Sequence, residues 1–577
     1  MPLKHSITTG IWLFLVSLSL DLVKALNKSP THPLIIDLHS GRIFGRREAV
    51  PHGRNVEMFL GIPYAEPPID QLRFAAPRPV EPWNGTRDAT DYGHQCMRGD
   101  VVSLNVQPGI RSEDCLYLNV YTPADIDKSL QQLPVMVWIH GGGLYHGAGS
   151  RYDGSVLASF NDVIVVTFNY RLGLLGFLNI PGTDLKGNYG MLDQVMALKW
   201  VQENIGRFGG DSDRVIIFGQ SAGGVSTDLL ILSPLTKGLF SSAIIQSGFA
   251  TSVFAYSSSS DPNKHAHFVK KLQCDITKDL LPCLRSKTRK EIVKAQGTFD
   301  YHLLGSYFPV PVVDGHFLPD KPTVLLSEGR FNHLKGSVVL GVTRDEGDAM
   351  LYGIQPNPDV PPTRESFQYM FDKVYFVADG GNELMKRVIL YEYTNHTDPD
   401  SLENLLKSWK DLISDSWQFS RAIYSANAYA QAGINTYVYQ FSHKSYYSIH
   451  PENTGVHHFD EVQYVFGVPW KENSYVSQAF SYTDVERGLS TMMMRLWSNV
   501  AIYGSPNGYD RDLFRWPKYS INSQEYLDIK LEPSVGRKLH ADRVVFWNQL
   551  IPKLANIDAY KEKHKKEETI EERKEEL

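Results

Sequence analysis

The sequence predicts an α/β fold: a large, mostly parallel central sheet flanked by helices, forming one large domain with insertions. Three observations carry that expectation. Short apolar or β-branched runs bounded by glycine or proline recur through the first half of the chain, as strands covered on both faces require. Sequence with helical periodicity lies between them, and alternating strands and helices favour parallel pairing. No repeat period or Gly/Ser-rich linker divides the chain, so a single domain is expected.

Taken in order, "LPVMVWIHGGG" predicts a strand near Val135 to Ile139, "DVIVVTFNYRLG" one near Val163 to Asn169, and "DRVIIFGQ" one near Val215 to Phe218. Two more are expected near Ala243 to Gln246 and Ser337 to Gly341. In "MLDQVMALKWVQENI", residues Leu192, Val195, Met196, Leu198 and Val201 fall on one helical face.

Composition excludes several classes. Of 577 residues, 42% are hydrophobic and 21% charged, the balance of a globular protein. A net charge of −6 offers no basic stripe for phosphates, so nucleic acid is not an expected partner. The opening residues place Lys4 ahead of an apolar run from Ile11 to Leu20, with Val23 and Ala25 beyond, the layout of a secretory signal peptide. That run is too short to span a membrane, which takes about 20 apolar residues. From Lys561 the chain is nearly all charge and cannot bury a core. The expected organisation is a leader at 1–25, an α/β domain at 26–560 and a charged tail at 561–577.

Four cysteines suit an oxidising lumen. Their proximity in sequence favours Cys96 with Cys115 and Cys274 with Cys283, closing two short loops. The triplets starting at Asn27, Asn84 and Asn395 are expected glycan acceptors in that compartment. The final residues, Lys574-Glu-Glu-Leu577, resemble an endoplasmic-reticulum retrieval signal, so a retrieval receptor is an expected partner and the endoplasmic-reticulum lumen the expected location, with secretion otherwise.

The chemistry gathers around Ser221. It stands in Gly219-Gln-Ser-Ala-Gly223, directly after an expected strand and before the helix-like "VSTDLLIL". A serine there can occupy a sharp strand-to-helix turn, which only small neighbours permit. Upstream, "HGGG" from His140 to Gly143 also ends a strand. Its flexible backbone can turn N–H groups toward an anionic oxygen, and the expected donors are Gly142, Gly143 and Ala222.

Such a serine needs a base and an acid, in the chain order Ser, then Asp or Glu, then His. The segment "TRDEG" follows the strand at Ser337 and offers an acid near Glu346. Farther on, "GVHHFDEVQYVFG" offers His457 and His458, and pattern alone does not separate them.

The chain resembles the type-B carboxylesterases of the carboxylesterase and cholinesterase superfamily, which have the α/β-hydrolase fold. The resemblance rests on "FLGIPYAEPP" from Phe59, "EDCLYLNVYTP" from Glu113, "HGGGL" from His140, "NYRLG" from Asn169, "FGQSAGG" from Phe218, "LILSPLTKGLF" from Leu230 and "FWNQLIP" from Phe546. It implies a Ser-His-Glu triad of Ser221, His458 and Glu346, the histidine being chosen because His458-Phe-Asp-Glu461 matches the family's spacing. It implies the same two disulfides. Two departures stand out: Phe459 follows the histidine where glycine is common, and Gln220 precedes the serine where mammalian carboxylesterases usually have Glu. Ser247 resembles a serine found near the triad.

The implied activity is ester hydrolysis through an acyl-enzyme, with a small-molecule ester as partner and no metal or organic cofactor. The segment between Cys96 and Cys115 lacks the aromatic residue that binds quaternary ammonium in cholinesterases, so choline esters are not the expected preference. The Gly-Gln-Ser-Ala-Gly form also occurs in insect juvenile hormone esterases, which keeps hormone or lipid esters in view. The rival class is a non-catalytic, neuroligin-like binding protein.

Overall fold

A computed structural model describes residues 34–51, 53–98, 110–124, 132–252, 255–258, 265–297, 309–348, 362–372, 383–452, 454–471, 474, 476–508 and 515–555. The leader at 1–25, Asn27 and the tail at 561–577 lie outside the described residues.

Twelve strands make up the main path of the large sheet, in chain order β1 (Leu34–Leu38), β2 (Gly41–Glu48), β3 (Val56–Pro63), β4 (Tyr117–Pro123), β5 (Leu133–Ile139), β6 (Ile164–Phe168), β7 (Gly210–Gln220), β8 (Ser242–Gln246), β9 (Ser337–Thr343), β10 (Asn435–Phe441), β11 (Glu525–Ile529) and β12 (Ser534–Arg537). Side by side they run β1-β2-β3-β4-β6-β5-β7-β8-β9-β10-β11-β12, and a short strand at Thr86–Asp88 pairs with β2 to complete a 13-stranded sheet. Every pairing from β6 to β11 is parallel. The pairings outside that block are antiparallel, apart from the short strand on β2.

The parallel block is where the sequence signal was strongest, because β5, β6, β8 and β9 are buried along their whole length. Successive side chains serve opposite faces: Val135, Val137 and Ile139 join one core, Met136 and Trp138 the other. Trp138 packs with ring centroids 4.8 Å from Phe218, 4.9 Å from Tyr152 and 5.0 Å from Phe466. This aromatic knot ties β5 and β7 together just below their C-terminal ends.

One helix departs from its expected orientation. In α1 (Tyr189–Asn204) the fully buried positions include Met191, Asp193, Gln194, Ala197, Leu198 and Val201, while Leu192 and Met196 are only partly covered. The helix is enclosed nearly all round, so no single apolar face describes it. Asp193 is buried because it pairs with Arg171: Oδ2 accepts from Nε at 2.7 Å and Oδ1 from Nη2 at 2.6 Å, with the side chains 0% and 4% exposed. Arg171 also donates to Ala75 O at 2.7 Å, so its guanidinium fastens the segment after β6 both to α1 and to the chain at Ala75. Asp193→Ala strands a buried guanidinium and should destabilise the domain by about 3–5 kcal/mol in urea unfolding. A loss below about 1 kcal/mol would show the charge to be solvated there.

Both expected disulfides are present, Cys96–Cys115 and Cys274–Cys283. Asn84 and Asn395 are exposed. No described helix is long and apolar enough to cross a membrane.

Candidate active site

The parallel register brings four strand ends level. Gly219 pairs with Ile139, Gln220 with Gln246, and Gln246 with Gly341, so β5, β7, β8 and β9 finish along one edge of the sheet. Open α/β sheets place their ligand sites at that edge.

Ser221 joins β7 to the helix α2 (Ala222–Leu232) with φ 59° and ψ −126°, a conformation that costs a serine on the order of 1–3 kcal/mol. Two hydrogen bonds hold it: Ser221 N donates to Gln246 O at 2.8 Å, and Ser221 O accepts from Val225 N at 2.9 Å. Crossing β5 so closely requires glycine at 223, where a Cβ would lie 2.0 Å from Ile139 O.

After β5 the chain bends inward. Gly142 has φ 108°, and a Cβ there would lie 2.2 Å from His146 O. Tyr145 and His146 N–H both donate to Gly142 O at 3.0 Å, which closes the loop. Among the described residues the N–H groups of Gly142, Gly143 and Ala222 have no hydrogen-bond partner. Three unpaired donors near a strained serine are what an oxyanion site requires.

Glu346 follows β9 and is buried. Its Oε1 accepts from Thr343 N at 2.8 Å, and its Oε2 lies 2.5 Å from Nδ1 of His458. The acids on either side of Glu346 bind the histidine loop: Asp345 accepts from Val456 N at 2.7 Å, and Asp348 accepts from Gly455 N at 2.6 Å. Lys410 holds Asp348 in turn at 3.1 Å. Sequence reasoning missed both acids, although the charged run "RDEGD" around Glu346 was the available signal.

The neighbouring histidines have different surroundings. His457 stacks on His450 at 3.7 Å, and burial pushes its pKa down to about 3. For His458, burial also presses the pKa downward. The charge and hydrogen bond of Glu346, with Glu461 and Asp460 behind, outweigh burial and leave it above the ordinary histidine value.

The Ser221 hydroxyl, by contrast, makes no hydrogen bond among the described residues. Nε2 of His458 is met instead by Nε2 of Gln220 at 3.1 Å. The structure therefore joins Glu346 to His458 and places Ser221 beside Gln220, but leaves the serine and histidine unlinked.

Behind the site, Gln246 donates to Glu461 Oε1 at 3.0 Å and accepts from Trp497 Nε1 at 3.0 Å. Glu461 is fully buried, and burial together with the Glu346 charge lifts its pKa to about 7. Ser247 is buried at the end of β8 with φ 49°, and its N–H donates to Gly341 O at 2.8 Å. Among the described residues, no group of three or more His, Cys, Asp or Glu could hold a metal ion.

A sequence profile described as "Carboxylesterase family" matches residues 32–547. The chain belongs to the carboxylesterase family. Similar proteins include the acetylcholinesterase of Bungarus fasciatus, 35% identical over 91% of this chain and 87% of its own length. They also include neuroligin-3 of Mus musculus, 34% identical over 96% of this chain and 73% of its own length, and that of Rattus norvegicus at 33%, 96% and 74%. Against this family background the departure at Phe459 has a backbone consequence. Its φ is 89°, in the region where glycine is at ease and a bulky residue is strained. Its half-buried ring lies 6.4 Å from Tyr152 and packs on the core beneath the site, contacts glycine could not make.

Proposed function

We propose that this carboxylesterase-family chain is a serine esterase of broad specificity that cleaves carboxylic esters through an acyl-enzyme. The observation that carries the reading is the convergence on one sheet edge of a strained serine, three unpartnered backbone donors and a carboxylate-bound imidazole. In the first step His458 Nε2 takes the Ser221 proton as Oγ attacks the ester carbonyl carbon. Gly142, Gly143 and Ala222 N–H then receive the oxyanion. Collapse returns that proton to the departing alcohol. Water, deprotonated by the same nitrogen, adds to the acyl carbon, and the proton passes back to Ser221 as the acid leaves.

Rotation of the serine side chain and displacement of the Gln220 amide must precede attack. Catalytic hydrogen bonds commonly tighten only in the substrate complex. The acetylcholinesterase relative makes choline esters one class to include, but the cysteine-bounded segment offers no aromatic ring to a cation, so uncharged esters should be preferred. The two disulfides support a place in the oxidising secretory lumen, and free thiols at those cysteines in purified protein would contradict it.

The test is turnover of p-nitrophenyl esters from acetate to octanoate, beside thiocholine esters. The expected result is saturable hydrolysis of the uncharged series. No hydrolysis of any ester would move the chain to the binding role proposed for neuroligin-like relatives.

A further inference from the structure

We propose that Gln220 is a positioning residue: its side-chain amide caps Nε2 of His458 in the resting protein and is exchanged for the Ser221 hydroxyl when substrate arrives. The inference rests on the proposed triad, but its own warrant is geometric. A glutamine Nε2 can only donate, so at 3.1 Å the facing Nε2 of His458 must be a lone-pair acceptor. The ring proton is then on Nδ1, where it is donated to Glu346 Oε2 at 2.5 Å. One amide thus fixes the neutral tautomer that a general base requires. Gln220 is 1% exposed at the last position of β7, immediately before the nucleophile, so its backbone is held by the sheet pairing to Gln246.

The cap has an electrostatic consequence. An amide N–H stabilises the imidazole lone pair and repels the N–H of an imidazolium, so it favours the uncharged ring. It opposes the three acids that face His458, namely Glu346, Glu461 and Asp460, which favour the charged ring. In the resting protein Gln220 therefore keeps the base free of a proton at pH values where those carboxylates alone would protonate it. A carboxylate at this position would do the reverse, since it can only accept and would bind the protonated ring.

The test follows the His458 ring nitrogens by NMR in protein labelled with 15N-histidine, across pH and without substrate, with His458→Gln to assign the resonance. Gln220→Met keeps length and removes the donor, and should raise the titration midpoint by about half to one pH unit, the worth of one hydrogen bond to the neutral form. Gln220→Asn serves the same purpose if the methionine variant fails to fold, because the shortened amide falls out of reach. Gln220→Glu should raise the midpoint beyond either. In an active protein, the acid limb of kcat/KM should move with these midpoints. An unchanged His458 midpoint in folded Gln220→Met or Gln220→Asn would overturn the proposal. Since the titration needs no turnover, a protein that hydrolyses nothing but shows these shifts would remove the esterase reading and leave the cap standing. An active protein with unmoved midpoints would do the opposite.

Discussion

Ser221→Ala is expected to lower kcat/KM for a p-nitrophenyl ester by about 10,000-fold or more, because nothing else at the site can form the acyl-enzyme. The unpaired N–H groups of Gly142, Gly143 and Ala222 would remain and could still stabilise attack by water, so some residual rate above the uncatalysed one is expected. Folding should change little, since both hydrogen bonds that hold the elbow are made by the Ser221 backbone and neither involves its hydroxyl. Alanine retains the strained φ of 59°, so a modestly lowered melting temperature is compatible and a collapsed fold is not. Steady-state kinetics beside a melting curve separate the two. Turnover within tenfold of the parent protein would mean that the nucleophile is elsewhere.

Glu346→Gln should cost about 1,000- to 10,000-fold in kcat while leaving KM nearly unchanged. Glu346 touches no substrate in the proposed mechanism; it accepts from Thr343 N through Oε1 and from His458 through Oε2. An amide in its place can present its nitrogen to Nδ1, which favours the tautomer with the proton on Nε2, where it blocks attack by serine. The pH profile gives a second reading of the same change. His458 now sits above the ordinary histidine pKa chiefly because Glu346 opposes the effect of burial. The base must be neutral, so activity is lost as pH falls through that raised value. Without the carboxylate the pKa drops, and the acid limb should move to lower pH even as the plateau falls. An acid limb that stays in place would mean that Glu346 does not act on the histidine.

The parts of the molecule readable from sequence are those where local chemistry admits one solution. Strands β5, β8 and β9 are continuous apolar runs because both of their faces are covered. The glycines around Ser221 are dictated by backbone crossings at about van der Waals contact or closer, which no other residue allows. Strands β1 and β2 gave no comparable signal, since each buries only one residue, Leu38 and Ile43, and leaves the rest partly or fully exposed at an edge of the sheet. Helix α1 misled because Asp193, which looks like a surface residue, is buried against Arg171 from a different element. The straps from Asp345 and Asp348 to the histidine loop join residues more than a hundred positions apart, and a spacing rule has no access to such contacts. An even longer stretch, 238 positions, separates Gln220 from His458, whose contact is invisible until the chain is folded.

The most direct measurement is covalent trapping. Incubation with a fluorophosphonate, followed by digestion and mass spectrometry, should place one phosphonyl group per chain on Ser221, with labelling lost in His458→Gln because the hydroxyl then has no base. An adduct on another serine, or an intact Ser221 after exhaustive treatment of folded protein, would contradict the account.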